Sequence, residues 1–259
     1  MTDLAVFGVS MLLTMARVSG VIVATPIFSS SNLPAVFKVG LIFSFSFLLY
    51  PFLGDASFAL DLALVGFAVL LAKELLVGIV LGLLVSLFFG VFQTAGQLID
   101  MPIGFGMVNF LDPNMGGQVP LMGRFHYVLV VLTMLSINGH HLILRALAHS
   151  YQLVPLGQLS VPGKSVELFV SWFSQTFLVA VSLAMPVIAA ILLVDIGLGL
   201  LNRAVPQINV FIVGFPVKIG VGLAVVALGL PFYLQIVKRL FGTSGALIEA
   251  LVGLLRSLG

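Results

Sequence analysis

DMPIGFGMVNFLDPNMGGQVPLMG, residues 100–123, is the one long passage of this sequence that cannot be a lipid-facing helix, and it separates two strongly apolar halves. Pro102, Pro113 and Pro120 each remove a backbone donor and clash with the preceding turn, while Gly104, Gly106, Gly116 and Gly117 take positive φ at little cost. That spacing predicts a break in helix. The same passage carries Met101, Ile103, Phe105, Met107, Phe110, Leu111, Met115 and Met122, too apolar a set for an ordinary solvated loop. Lipid does not satisfy irregular backbone, so such a segment at membrane depth is tolerated only inside protein or along a cavity. The expectation is a loop folded within an assembly, across a pore or in a groove.

Composition sets the surroundings of that loop. Of 259 residues, 61% are hydrophobic and 8% charged, against roughly 25% charged in a soluble domain. This is the composition of an integral membrane protein or of something assembled like one. Cysteine is absent, which excludes disulfides, thiolate metal sites and cysteine nucleophiles. A formal charge of +2 over this length forms no basic stripe, so nucleic acid is not expected as a partner.

Upstream of the loop, residues 4–24 have the length of a crossing, closed by Pro26. Asp3 before the run and Arg17 within it argue against a cleavable signal. Arg17 must snorkel or find a partner, as an anchor or in transport, because a lone arginine there costs about 2.5–3.5 kcal/mol. Residues 34–53 form a second run, entered through Lys38, and residues 61–92 a third that is longer than a perpendicular crossing. Lys73 and Glu74, adjacent within it, point about 100° apart on a helix, so each needs a partner from another segment.

Downstream, residues 124–148 read as helix with a possible break at Asn138 and Gly139, and residues 151–163 as a loop. His126, His140, His141 and His149 cluster there, but no carboxylate stands at ligand spacing and no metal site is assigned. Residues 164–201 resume as a long run containing Trp172 and a kinking Pro186. Asp195, Asn202, Arg203, Pro206, Gln207, Asn209 and Lys218 then mark a helix–loop–helix corner, with Asp195 and Asn202 on one stripe. Residues 214–237 form the last long run. After it, Thr243 or Ser244 is expected to cap a final amphipathic helix whose stripe is Leu247, Leu251, Leu254, Leu255 and Leu258. The fold class expected is all-α: six long, kinked, membrane-associated hydrophobic runs and a C-terminal amphipathic helix.

Three passages carry a resemblance: GQLIDMPIGFGMVNFLDP at 96–113, INGHHLILRALAHSYQLVPLG at 137–157 and LGLLNRAVPQINVFIVGFPVK at 198–218. In this order, together with the Arg17, Pro26 and Lys38 pattern, they resemble the FliR family, the R subunit of the flagellar type III protein export gate. The resemblance covers essentially the whole chain. It implies one copy of this subunit packed with several copies of the P and Q subunits in a right-handed helical gate around a narrow channel, in the bacterial inner membrane at the flagellar basal body. It implies a P-like part at 1–150, with a plug loop at 104–123, and a Q-like hairpin part at 164–259. The plug residues implied are Gly106, Met107, Phe110, Leu111, Pro113, Met115, Gly116, Gly117 and Met122. For the corner, the alternatives are a tip that contacts neighbouring subunits and an entrance that meets the B subunit of the export switch. The export-gate A subunit and unfolded polypeptides are further implied partners. The injectisome T subunit shares this architecture, and the INGHHLILRAL wording is closer to the flagellar member.

Two other classes stay in view. Arg17, Lys73, Glu74 and Asp195 within apolar runs suit an independent small-solute transporter or channel, for which inverted repeats are wanting. A membrane-embedded enzyme would draw on His140 or His141 with Asp195 or Glu74, but no Ser–His, HExxH or paired-carboxylate spacing supports it. No catalytic residue and no cofactor is therefore assigned.

Overall fold

The computed structural model describes residues 2–30, 33–53, 64–107, 120–160, 162–207, 209–242 and 245–258; for 2–5, 107 and 211 only the backbone is described. Among these residues the fold is all-α: α1 Thr2–Ala24, α2 Pro26–Ser29, α3 Ala35–Leu49, α4 Leu64–Ile103, α5 Leu121–Ser136, α6 Gly139–Leu153, α7 Gly163–Ala204, α8 Val210–Phe241 and α9 Ala246–Leu258. Short 3-10 turns occupy Tyr50–Phe52 and Phe105–Met107. Five stretches are long and apolar enough to cross a membrane, or six if α5 and α6 count as one broken span.

Several boundaries differ from the sequence reading. Helix α4 does not end near Phe92 but runs on to Ile103, through Gln93, Gln97 and Asp100. Those residues lower the hydropathy yet break nothing; the helix stops only after Pro102, where Gly104 takes φ +98°. The irregular passage is correspondingly narrower than 100–123, because α5 already begins at Leu121. Asn138, left-handed at φ 57°, separates α5 from α6, as the Asn-Gly pair suggests. Tyr151 and Gly163 belong to helices rather than to the loop between them. Helix α8 is longer than 214–237 and contains Pro216 and Pro231. The last helix begins at Ala246, its first bond from Ile248 N–H to Gly245 O at 3.0 Å; Thr243 and Ser244, the expected caps, lie outside the described residues.

The chain forms two compact units: residues 1–88, 137–173 and 240–259, and residues 89–136 and 174–239. In the first, α1 packs on α3 and α9 packs on α6. All five leucines of the α9 stripe are buried, so that stripe is covered by the protein's own helix. Small residues set the approach of α1 to α4: a Cβ on Gly20 would lie 2.6 Å from Leu75 O, and one on Gly82 2.6 Å from the Cβ of Ala24. This is the close, small-residue contact through which apolar helices pack in membranes. The second unit has its own core of Ile99, Ile103, Met122, Ala184, Val187, Ile191 and Val226.

Candidate functional site

In the first unit, the intramembrane polar residues converge. Arg17 and Glu74 are both completely buried, and Arg17 Nε donates to Glu74 Oε2 at 2.7 Å. The rest of the guanidinium is used as well: Nη1 donates to Ser150 Oγ at 3.2 Å, Nη2 to Val154 O at 2.9 Å, and its plane lies 4.4 Å from the centre of the Tyr151 ring. The second oxygen of Glu74 accepts the N–H of Gly157 at 2.7 Å, and Lys73 Nζ reaches the carbonyl of Gly157 at 3.4 Å. Gly157 stands at φ +79°, a conformation that favours glycine. Lys73 and Glu74 thus do not pair with each other; both hold the turn after α6. A buried charge tolerates that environment only when paired and hydrogen-bonded, and Arg17 and Glu74 are both.

In the second unit, the two stems of the central loop are joined. Asp100, in the last turn of α4, accepts the N–H of Met122 on Oδ1 at 2.9 Å and that of Gly123 on Oδ2 at 3.3 Å. Helix amino termini leave amides unpaired and attract negative charge, so this carboxylate serves as a cap supplied from another helix. Gly96, one turn earlier, permits the approach: a Cβ there would lie 2.5 Å from the Cα and N of Gly123.

The corner residues fall at the α7–α8 connection. Asn202 and Arg203 end α7, and Pro206, Gln207 and Asn209 follow; all five are exposed. The Asn209 carbonyl accepts from Ile212 N–H at 3.0 Å, and its side-chain Oδ1 from the same group at 3.4 Å, which starts α8. Further along the two helices Lys218 Nζ and Asp195 Oδ1 pair at 2.5 Å, beside a cavity of about 450 Å³ lined also by Met101, Gly104, Leu198 and Phe215.

Of the expected plug residues, Gly106 and the backbone of Met107 lie in the 3-10 turn that follows Gly104, and Met122 is buried in the first turn of α5. Phe110, Leu111, Pro113, Met115, Gly116 and Gly117 lie outside the described residues. Sequence reasoning missed Ser150, Tyr151, Val154 and Gly157 as partners of the buried charges, and Asp100 as a cap. One signal was available: Glu74, Gly78 and Gly82 repeat at i, i+4, i+8, a small-residue face with a carboxylate at its head. Among the described residues no group of three or more His, Asp or Glu is placed to hold a metal ion.

The family described as bacterial export proteins, family 1, matches residues 9–244. The flagellar biosynthetic protein FliR of Bacillus subtilis (strain 168) is 34% identical over 252 residues, 96% of this chain and 95% of that protein. The protein of the same name from Aquifex aeolicus (strain VF5) is 31% identical over 225 residues, 87% of this chain and 86% of its own. That from Escherichia coli (strain K12) is 30% identical over 227 residues, 87% and 85%. A match that runs nearly end to end over helices, loop stems and corner leaves one conclusion: this chain belongs to the bacterial export proteins, family 1, the FliR family.

Proposed function

We propose that this chain is a core component of the flagellar type III protein export gate. In this reading one copy assembles with P and Q subunits into a channel through the bacterial inner membrane, at the flagellar basal body, and unfolded flagellar polypeptides pass through it. The observation that carries the reading is the length of the family match, residues 9–244, together with relatives named for flagellar biosynthesis that align over most of their own length. Those names favour the flagellar assembly over its injectisome counterpart. Residues 1–150 act as the P-like part and 164–259 as the Q-like part.

The central loop, 104–123, is the plug. What supports this is the chemistry of its sequence and the position of its stems. Met107, Met115, Phe110 and Leu111 are soft, apolar side chain types, and Gly106, Gly116 and Gly117 are residues for which positive φ costs little. Both ends of the loop leave from one place, because Asp100 ties the start of α5 to the end of α4. A loop that returns to its own base is suited to fill a lumen and to be displaced by a passing chain. The corner at Asn202, Arg203, Pro206, Gln207 and Asn209 is the contact for neighbouring subunits, with the B subunit of the export switch and the A subunit as further partners. No catalytic group is called for, since unfolding and energy come from those partners.

The test is to tag the chain, co-express it with its genomic neighbours, extract in mild detergent and record a native mass spectrum. A single heavy assembly with one copy of this chain and several of two smaller subunits is expected; a folded monomer or small homo-oligomer overturns the proposal. Within the assembly, deleting residues 106–119 is expected to raise small-ion leakage, and unchanged conductance overturns the plug.

A further inference from the structure

Among the described residues, the amino terminus of α5 has no local cap. The residue before the helix is Pro120, whose side chain offers no acceptor, whereas Ser, Thr, Asp or Asn ordinarily stands there. The acceptor comes instead from Asp100, 22 positions upstream and only 6% exposed, with one carboxylate oxygen for each of two successive amides. The approach that makes this possible is built into both helices. Gly96 faces the backbone of Gly123 so closely that a Cβ on it would fall 2.5 Å from Cα and N, and a Cβ on Gly123 would stand 3.2 Å from Gln93 O. Gln93, Gly96 and Asp100 are spaced three and four apart and therefore form one track along α4. Met122, between the two bonded amides, is buried in the core with Ile99 and Ile103 of the same helix. The upstream stem is held differently: it turns at Gly104, where the ring of Phe215 occupies the space a side chain would need, 2.9 Å from an added Cβ.

We infer that Asp100 is a positioning residue for the central loop, whose carboxylate locks the downstream stem onto α4 and fixes where the loop returns. This rests on the reading of that loop as the plug. Glycine contact brings the backbones together, and two directed bonds to consecutive amides add a fixed rotation and register. The residue has a role separate from filling the core, because its neighbours on the track are small or amide side chains and its oxygens point at donors.

Asp100→Asn keeps the size, removes the charge and turns an amide NH₂ toward a backbone N–H. In the full assembly, co-expressed with its neighbours, it is expected to raise the undocked population of the stem about tenfold, the equivalent of one lost charge-assisted cap. Two readouts decide this. The chain has no native cysteine, and Met101 and Leu121 are exposed on either side of the clamp. Spin labels at Met101→Cys and Leu121→Cys should give one narrow distance distribution with Asp100 and a broadened one in D100N; an unchanged distribution overturns the inference. Ion leakage should rise in D100N and should not add to the leakage of the 106–119 deletion; additive leakage overturns it. A deletion that leaks no ions sinks the plug reading by itself, and the distance measurement still decides the role of Asp100. Should D100N fail to assemble, Gly123→Ala replaces it, since its Cβ meets Pro120 Cβ at 3.1 Å and Gln93 O at 3.2 Å and disturbs the same contact more gently.

Discussion

Exchanging the charges of the buried pair, Arg17→Glu with Glu74→Arg, separates a Coulombic account of this node from one based on directed hydrogen bonds. Arg17→Glu alone leaves a fully buried Glu74 with one remaining bond, to Gly157 N–H, and a second carboxylate beside it. It also strips donors from Ser150 Oγ and Val154 O. Removing one partner of a buried pair costs about 3–5 kcal/mol, a large share of a total stability of about 5–15 kcal/mol. If attraction between opposite charges were the whole of it, the exchange would restore most of that loss. The geometry says otherwise. An arginine at position 74 would aim donors at the Gly157 N–H, and a carboxylate at position 17 would face the Val154 carbonyl and the Ser150 hydroxyl, whose proton already goes to Leu147 O. Apart from the ion pair itself, each new contact sets like against like. The doubly exchanged chain is therefore expected to be no more stable than either single variant. Unfolding is followed by titrating SDS into mixed micelles for wild type, both single variants and the exchange. Recovery to within about 1 kcal/mol of wild type would refute the argument and reduce the node to a simple ion pair.

Other outcomes follow from the same structure. Gly78→Ala, although alanine is the better helix former by about 1 kcal/mol, should destabilise the first unit, because its Cβ would run into Arg17 O; the same titration checks this, and a stabilised variant contradicts the α1–α4 approach. Gly157→Ala should cost about 1–3 kcal/mol from its φ of +79° and the nearby Leu70 Cδ2, 2.9 Å from an added Cβ, and should loosen the 154–157 turn as seen by hydrogen exchange. Leu251→Ala, at 1% exposure on α9, should lose about 2–5 kcal/mol, with protease cutting near residue 245 as the readout. Arg203→Lys at the exposed corner should change stability by less than about 0.5 kcal/mol. Retained assembly with lost export then marks the corner as an entrance, and lost assembly marks it as a subunit contact.

How far the sequence leads depends on which physical property writes the signal. Apolar composition and length find the helices because lipid and protein interior exclude the same residues, and all-α architecture follows directly. Helix ends are recorded in a different property. The third run looks finished at Phe92 since Gln93, Thr94, Gln97 and Asp100 are polar, yet backbone chemistry allows helix until Pro102 and Gly104, and α4 continues to Ile103. Hydropathy describes what surrounds a helix, and only breakers and caps describe where it stops. The same distinction explains the caps. Local rules favour Thr243 or Ser244 before the last helix, residues outside those described, and α9 starts at Ala246. Nothing local announces a cap for α5, and one arrives from Asp100, 22 residues away.

Partners of the buried charges belong to a third kind of information. That Arg17, Lys73 and Glu74 each need a group from elsewhere follows from the energy of burying charge. Which groups those are depends on the packing of helices distant in sequence: Glu74 lies 57 positions from Arg17 and Val154 137 positions from it. What the sequence does hold is the steric permission for that packing, in Gly20, Gly78 and Gly82, because only small residues let two backbones come near enough for short-range bonds between side chains at their ends. The same logic runs through Gly96 and Gly123 around Asp100. In both units a close glycine contact lies next to a buried carboxylate that binds backbone amides, Gly157 in one and Met122 with Gly123 in the other. A chain with only 8% charged residues thus places carboxylates where irregular backbone begins or ends, and fixes its loops at their stems.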